Sequence, residues 1–285
     1  MKILNENSDI PINTSLILGF FDGIHIGHQE VLKNTLSKNK VIVTFSDSPA
    51  KYFNRDFYYI YSREYNYELL EKQGINYIYE QDFSKIVNLT AQEYLDFLIN
   101  KFRPVSITTG FNHTFGFNRL GNPEFIKNNQ KNFKYFCTEP KIIDNEVVSS
   151  SIIKKYLLNG NIKKANILLG RDFSIESSVI KGEKIGRKLG FPTANLKYPA
   201  KIIKIPYGVY KVKVLNKPAV MNWGIKPTFG SKEVIEVHIP NFKEDLYGKT
   251  LRIDIIDKIR DEKKFANIED LKNQIKEDVN RCLEL

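Results

Sequence analysis

The chain has 285 residues, 42% hydrophobic and 27% charged, which is enough apolar material for one large or two ordinary packed domains and excludes a disordered polymer. No apolar run reaches the ~20 residues of a membrane-spanning helix, the opening MKILNENSDI lacks a signal peptide's apolar core, and the two cysteines, Cys137 and Cys282, lie far apart without metal-ligand spacing. A cytoplasmic protein with reduced thiols is expected. The formal net charge of +10 suits nucleic acid, an anionic surface or small polyanions, but the lysines are scattered and the densest group, KKYLLNGNIKK, fits solvated helix faces; small phosphorylated molecules suit a positive field equally well, and no nucleic acid or membrane partner is expected.

The first informative stretch, SLILGFFDGIHIGHQEVL from Ser15 to Leu32, reads as strand, glycine turn and helix. Gly19 and Gly23 bracket Asp22 where the backbone turns. His25 and His28, three apart, fall on one side of a first helical turn. Unpaired N–H groups and the positive dipole end of a helix start attract phosphate, and two imidazoles add donors, so the arrangement suits a nucleoside triphosphate; two polar histidines at a helix start are the plainer alternative. The helix HQEVLKNTLSKN is followed by a strand from Lys40 to Phe45, the helix REYNYELLEKQG stopping at Gly74, and the strand INYIYEQ. Next come the helix TAQEYLDFLINKF with a Thr90–Glu93 capping box, the strand VSITTG, the helix NPEFIKNNQK and the strand NFKYFCTEP. Alternation of this kind predicts a doubly wound, Rossmann-like parallel sheet that binds ligands beyond the carboxyl ends of its strands. GFFDGIHIGH and GFNHTFGFNRLGN both begin where a strand ends.

SSSIIKKYLLNG is a short helix with serine caps and Gly160 as its stop. From about Asp172 the texture changes to short alternating segments, SIESSVIKG, YGVYKVKVLN, AVMNWGI, VIEVHIP and KTLRIDIIDKI, separated by Gly, Pro and Asn, the pattern of an antiparallel barrel or sandwich. An amphipathic helix, IEDLKNQIKEDVNRCL, closes the chain. The division is placed near Leu169, giving domains 1–168 and 169–285.

VIKGEKIGRKLGFPTANL spaces glycines at 182, 186 and 190. It lacks the GK[ST] ending of a P-loop, so a glycine-rich barrel turn is the plain alternative. Glycine amides can nevertheless approach phosphates, while the Thr193 hydroxyl and Asn195 amide oxygen suit Mg²⁺. In IEVHIP, Glu236 and His238 alternate with Ile235, Val237 and Ile239 and so share one strand face; an outward polar pair is the alternative there. A zinc site built on His25, His28 and His113 lacks any companion Cys, Asp or Glu pattern.

These motifs together resemble the bacterial bifunctional riboflavin kinase/FAD synthetases, over nearly the whole chain. GFFDGIHIGH is similar to that family's G-x-F-D-G-x-H-x-G-H segment, covering Gly19, Phe20, Asp22, Gly23, His25 and His28. GFNHTFGFNRLGN is similar to its G-x-D/N-F-x-F-G-x-x-x-x-G loop, with Asn112, Phe115, Gly116 and Gly121 matching and His113 standing where Phe is usual. VVSSSIIKKYL resembles S-S-T-x-I-R: Ser149 and Ser150 match, Ser151 stands for Thr and Lys154 for Arg, which loses the bidentate fork. TFSDSPAKYF departs from T-F-x-P-H-P, with Asp47 for the first proline and Ser48 for the histidine. GR-x-LGFPTAN is nearly unbroken through Gly186, Arg187, Pro192, Thr193 and Asn195, and YGVY, NWGIKPTFG, IEVHIPNFKEDLYG and IRDEKKF follow in order, with Trp223 and Lys226 as local departures.

The resemblance implies an N-terminal nucleotidyltransferase module that makes FAD from FMN and ATP, with His25 and His28 on the ATP phosphates, and a C-terminal barrel that phosphorylates riboflavin with Mg-ATP. It implies Glu236 as general base, Gly182, Gly186, Arg187 and Pro192 at the nucleotide, Thr193 and Asn195 at Mg²⁺, and Arg260 over the flavin. A chain with only the kinase module active, and a flavin-sensing or nucleic-acid-binding regulator on the same modules, are the rival expectations.

Overall fold

The structure, a computed structural model, describes residues 1–182, 185–226 and 232–283. It divides into two compact units, residues 1–58 with 63–149, and 59–62 with 150–285. Within the motifs singled out above, Glu183, Lys184 and the PTFGS stretch at 227–231 lie outside the described residues.

The first unit carries strands β1 (Lys2–Leu4), β2 (Thr14–Leu18), β3 (Asn39–Phe45), β4 (Tyr77–Gln81), β5 (Ser106–Gly110) and β6 (Lys134–Thr138). They form one parallel sheet in the order β1-β4-β3-β2-β5-β6. Its helices are α1 (Ile26–Lys33), α2 (Pro49–Tyr52), α3 (Arg63–Lys72), α4 (Phe83–Ile86), α5 (Ala91–Phe102) and α6 (Pro123–Asn128), followed by a two-stranded ribbon of β7 (Ile142–Ile143) and β8 (Glu146–Val147). β2 is buried along its whole length, as a central parallel strand covered on both faces must be. Its Leu16 and Leu18 join Val41, Val43 and Ile107 against Leu95 and Leu98 of α5 and Ile126 of α6. On the other face, Thr108 of β5 donates its hydroxyl to the carbonyl of Asn34, just past α1. Helices therefore lie on both faces, the doubly wound arrangement expected from the alternation. The Thr90–Glu93 capping box is present in full.

The second unit begins with α7 (Ser150–Leu158) and α8 (Ile162–Leu169). Then follow β9 (Phe173–Ile180), a short helix α9 (Ile185–Lys188), β10 (Ala194–Leu196), β11 (Gly208–Val214), β12 (Lys217–Lys226), β13 (Lys232–His238), β14 (Thr250–Arg260) and α10 (Ile268–Leu283). The strands close into an antiparallel barrel, β10-β13-β12-β11-β14-β9. Met221, Trp223, Ile235, Val237, Tyr210, Val212, Ile253 and Ile255 fill it, each essentially fully buried. α10 lies outside, its Cys282 packed with Val209 and Val220 of β11 and β12. α8 covers another part of the outer wall, where Asn166 donates through Nδ2 to the Ile255 carbonyl (2.9 Å) and accepts from the Phe173 N–H at Oδ1 (2.8 Å).

Candidate active sites

In the first unit the strand order reverses beside β2: β3 and β4 run to one side, β5 and β6 to the other. The loops after β2 and β5 thus flank the topological switch point, where open α/β sheets bind ligands. The loop after β2 turns through Gly23 at φ 87° and Ile24 at φ 42°. Gly23 donates its N–H to Oδ1 of Asn66 on α3 (3.3 Å), and Asp22 and His25 are buried.

His25 does not sit in the first helical turn, as its spacing predicts; it is the N-cap of α1. The physical reason is local: its Nδ1 accepts the His28 backbone N–H at 3.2 Å, supplying the acceptor that a free helix start lacks. That bond leaves Nδ1 without a proton and puts the neutral ring's hydrogen on Nε2. The His25 and His28 rings stack with centroids 3.6 Å apart and 20° between planes, and Phe21 meets His28 edge-on at 5.0 Å. A β-carbon at Gly27 would crowd His25 Nδ1 at 3.2 Å and the Val148 carbonyl at 3.5 Å, so Gly27 gives the ring its room. Gly19 and Phe20 lead into this turn, and Phe20 meets Phe57 edge-on at 5.7 Å.

The loop after β5 is closed by a two-way backbone pair between Phe115 and Gly121 (3.0 and 2.9 Å). Gly116 has φ 71°, and a β-carbon there would lie 2.6 Å from the Ala91 nitrogen. Phe115 is buried and Asn112 exposed. His113 stacks on Phe115 at 5.7 Å, its Nε2 is buried with no hydrogen-bond partner among the described residues, and burial pushes its imidazole down to about 4. Ser48 is buried and caps α2 through its Oγ, accepting the Ala50 N–H at 3.3 Å, while Asp47 pairs with Lys51. The residues that depart from T-F-x-P-H-P thus build a helix cap. Beyond it, Phe45, Tyr52, Phe53 and Phe83 form a cluster of edge-to-face rings at the carboxyl ends of β3 and β4, with Tyr52 and Phe53 about half exposed. Motif spacing does not reveal this cluster, because its members come from three separate elements. Ser149 immediately precedes α7, and Ser150, Ser151 and Lys154 lie on that helix in the second unit.

In the second unit, PTAN carries the short strand β10, which sequence patterning leaves unassigned because only three residues pair. Asn195 stands opposite Glu236 across β10 and β13, and Glu236 stands opposite Asn222 across β13 and β12. Ile235, Val237 and Ile239 point into the barrel and are buried, whereas Glu236 and His238 are half-buried on the outer face. Asn195, Glu236 and Asn222 therefore form one polar row across three strands.

The row is fitted tightly to the glycine-rich turn. A β-carbon at Gly182 would lie 2.5 Å from Asn195 Cγ and 2.8 Å from its Oδ1; one at Gly186 would overlap the Phe191 carbonyl and lie 3.2 Å from Thr193 Oγ1. The Phe191 N–H in turn donates to the Gly186 carbonyl at 2.8 Å. His238 donates from Nδ1 to the Pro192 carbonyl (2.8 Å) and meets Phe191 edge-on at 5.6 Å, pinning the turn to β13. The shared face of Glu236 and His238 was legible in the alternation, but this anchoring role was not. Thr193 and Asn195 present an uncharged hydroxyl and a carboxamide oxygen, hard donors that fit Mg²⁺ when phosphates and waters complete its shell. No cluster of three His, Cys, Asp or Glu able to hold a metal occurs among the described residues. Arg187 is exposed on α9. Arg260 is fully engaged: Nε and Nη2 bond the buried Asp278 carboxylate of α10 (3.0 and 2.7 Å), and Nη1 donates to the Asp261 carbonyl (3.0 Å).

Comparison with known proteins finds a family match in each half of the chain. The riboflavin kinase family matches residues 169–285 and the FAD synthetase family residues 7–152. A bifunctional riboflavin kinase/FMN adenylyltransferase of Buchnera aphidicola (from Acyrthosiphon pisum) is 34% identical, the alignment covering 98% of this chain and 96% of that one. The Bacillus subtilis protein of the same name is 33% identical over 94% and 91%. A crystal structure of a Streptococcus pneumoniae protein named as a macrolide-efflux protein superposes with a TM-score of 0.91 at 29% identity, covering 99% of each chain. Among the described residues here, no helix is long and apolar enough to cross a membrane. The chain belongs to the bifunctional riboflavin kinase/FMN adenylyltransferases, enzymes that convert riboflavin to FMN and FMN to FAD.

Proposed function

We propose that phosphorylation of riboflavin takes place on the outer barrel row, with Glu236 as the general base. The carrying observation is the pairing of Glu236 with Asn195 on one side and Asn222 on the other. Glu236 takes the proton from the terminal ribityl hydroxyl as that oxygen attacks the γ-phosphorus of ATP; the bond to the β–γ bridging oxygen breaks and ADP leaves. Thr193 and Asn195 hold Mg²⁺, which when bound neutralises charge on the phosphates. Gly182, Gly186, Arg187 and Pro192 shape the turn that receives the nucleotide, and Arg260, fixed to Asp278, holds the strand end beside the flavin.

In the second reaction an FMN phosphate oxygen attacks the α-phosphorus of ATP and pyrophosphate leaves. His25 and His28 stabilise charge on the α-phosphate, within the turn made by Gly19, Phe20, Asp22 and Gly23, helped by Asn112 and Phe115 from the loop after β5. The exposed faces of Tyr52 and Phe53 offer the flavin ring a stacking surface that compensates for the missing histidine at Ser48. Adenylyl transfer is assigned to 1–168 and phosphoryl transfer to 169–285, in the cytoplasm, with small molecules as the partners. Chromatography of flavins after incubation with riboflavin, ATP and Mg²⁺ tests this: the parent makes FMN then FAD, Glu236→Gln makes neither from riboflavin but makes FAD from supplied FMN, and His28→Ala stops at FMN.

A further inference from the structure

Gly224 is a glycine without a conformational reason to be one. It lies within β12 opposite Val234, and it is absent from the positive-φ residues. What requires glycine is space. A β-carbon there would overlap the carboxylate of Glu262, lying 2.6 Å from its Cδ, and the three nearest atoms it would meet all belong to that side chain. Glu262 sits in the irregular segment 261–267 that links β14 to α10.

The place of this contact matters. Met221 and Trp223 point into the barrel, so Val220, Asn222 and Gly224 form the outward face of β12, with steps of about 7 Å between successive members. α10 covers Val220, Glu262 covers Gly224, and Asn222 of the polar row lies between the two covers. The segment is fixed at its start by the Arg260–Asp278 pair, and the Arg260 guanidinium lies 5.9 Å from the centre of the Phe265 ring. Glu262 also lies in the field of the Tyr207 phenol, whose ring packs on Trp223 at 5.2 Å.

We propose that Glu262 is a positioning residue for riboflavin phosphorylation: seated on the bare backbone of Gly224, it holds segment 261–267 against the barrel beside Asn222 and Glu236 and so shapes the riboflavin side of the site. The proposal rests on the reading that phosphoryl transfer occurs at Glu236. It acts through shape, since the seat is a missing side chain and not a charged partner.

The test is a double-mutant cycle in the full chain. Gly224→Ala collides only with the end of a flexible side chain, so the barrel stays folded while Glu262 is expelled. Gly224→Ala and Glu262→Ala should each raise KM for riboflavin about fivefold or more, with kcat changed much less, and the double variant should be no worse than Glu262→Ala alone, as expected for residues acting through one contact. Glu262→Gln, which keeps the shape, should retain the parental KM. Amide exchange over 261–267 should quicken in Gly224→Ala and Glu262→Ala alike. Multiplying effects of the two substitutions, a Glu262→Gln as impaired as Glu262→Ala, or unaltered exchange would each overturn the proposal. Failure of the underlying reading shows itself separately, as normal riboflavin turnover by Glu236→Gln, whereas exchange over 261–267 reports the seat whichever way that result falls.

Discussion

Asn195 and Glu236 face each other across the β10–β13 pair, one contributing an amide oxygen and the other a carboxylate to the same outward row. On the proposed reading, Asn195 would help hold Mg²⁺ with its phosphates beside the carboxylate that prepares the attacking hydroxyl. Glu236→Gln keeps the shape and removes the basic lone pair. Riboflavin phosphorylation should fall by about 10² to 10⁴, the usual contribution of a general base, while riboflavin still quenches on binding and FAD forms from supplied FMN at the parental rate. Normal FMN formation by the variant would reduce Glu236 to an outward polar residue.

His25 and His28 differ in what they do for the fold, and this separates their variants. His25→Ala removes the cap of α1 and should cost about 1 kcal/mol of stability, whereas His28→Ala leaves the helix uncapped nowhere and should melt like the parent. Both should lose FAD formation, with an activation penalty on the order of 3 kcal/mol for the loss of a preorganised donor, and both should keep FMN formation. Equal melting of the two variants would show that the His25 bond at 3.2 Å contributes nothing.

Much of this architecture was legible because local chemistry and global fold agree. β2 is an apolar run buried along its length, α5 starts at the capping box its sequence spells, and the Ile235–Val237–Ile239 alternation sorts the barrel interior from the outer row. What was not legible depends on partners distant in sequence. β10 is too short to show a period and exists because Asn195 pairs with Glu236, 41 residues on. His25 reads as a helical residue by spacing and becomes a cap only because its ring folds back onto the His28 amide. The role of His238 depends on a carbonyl at Pro192, and the need for glycine at 224 on a side chain at 262.

α8 makes a prediction about where the kinase can be cut. Ile162, Ala165, Leu168 and Leu169 are all buried, and Asn166 bonds both Ile255 of β14 and Phe173 of β9. A fragment of residues 150–285 keeps these contacts, while one of 169–285 exposes the wall beneath. The shorter fragment should be less stable by on the order of 5 kcal/mol, from the apolar side chains it no longer buries. Urea midpoints compare the two directly, and equal midpoints would make α8 dispensable to the barrel.

His113 should make the first unit sensitive to acid. Its ring stacks on Phe115, its Nε2 is buried with no partner among the described residues, and burial lowers its pKa from 6.5 to about 4. Between those values the unfolded chain binds a proton that the folded chain refuses. Stability from this group is therefore complete above about pH 6.5, drains away as pH falls toward 4, and changes no further below that, a total on the order of 3 kcal/mol. His113→Phe keeps an aromatic ring on Phe115 and removes the titration. Carboxylates elsewhere also respond to acid, so the informative quantity is the difference between parent and variant in urea midpoint, followed from pH 7 to pH 4. The variant should gain on the parent steadily through that window, most steeply between pH 6 and 4.5. Curves that stay parallel would mean that His113 accepts its proton as readily in the folded protein as in the unfolded chain, and that its ring is hydrated.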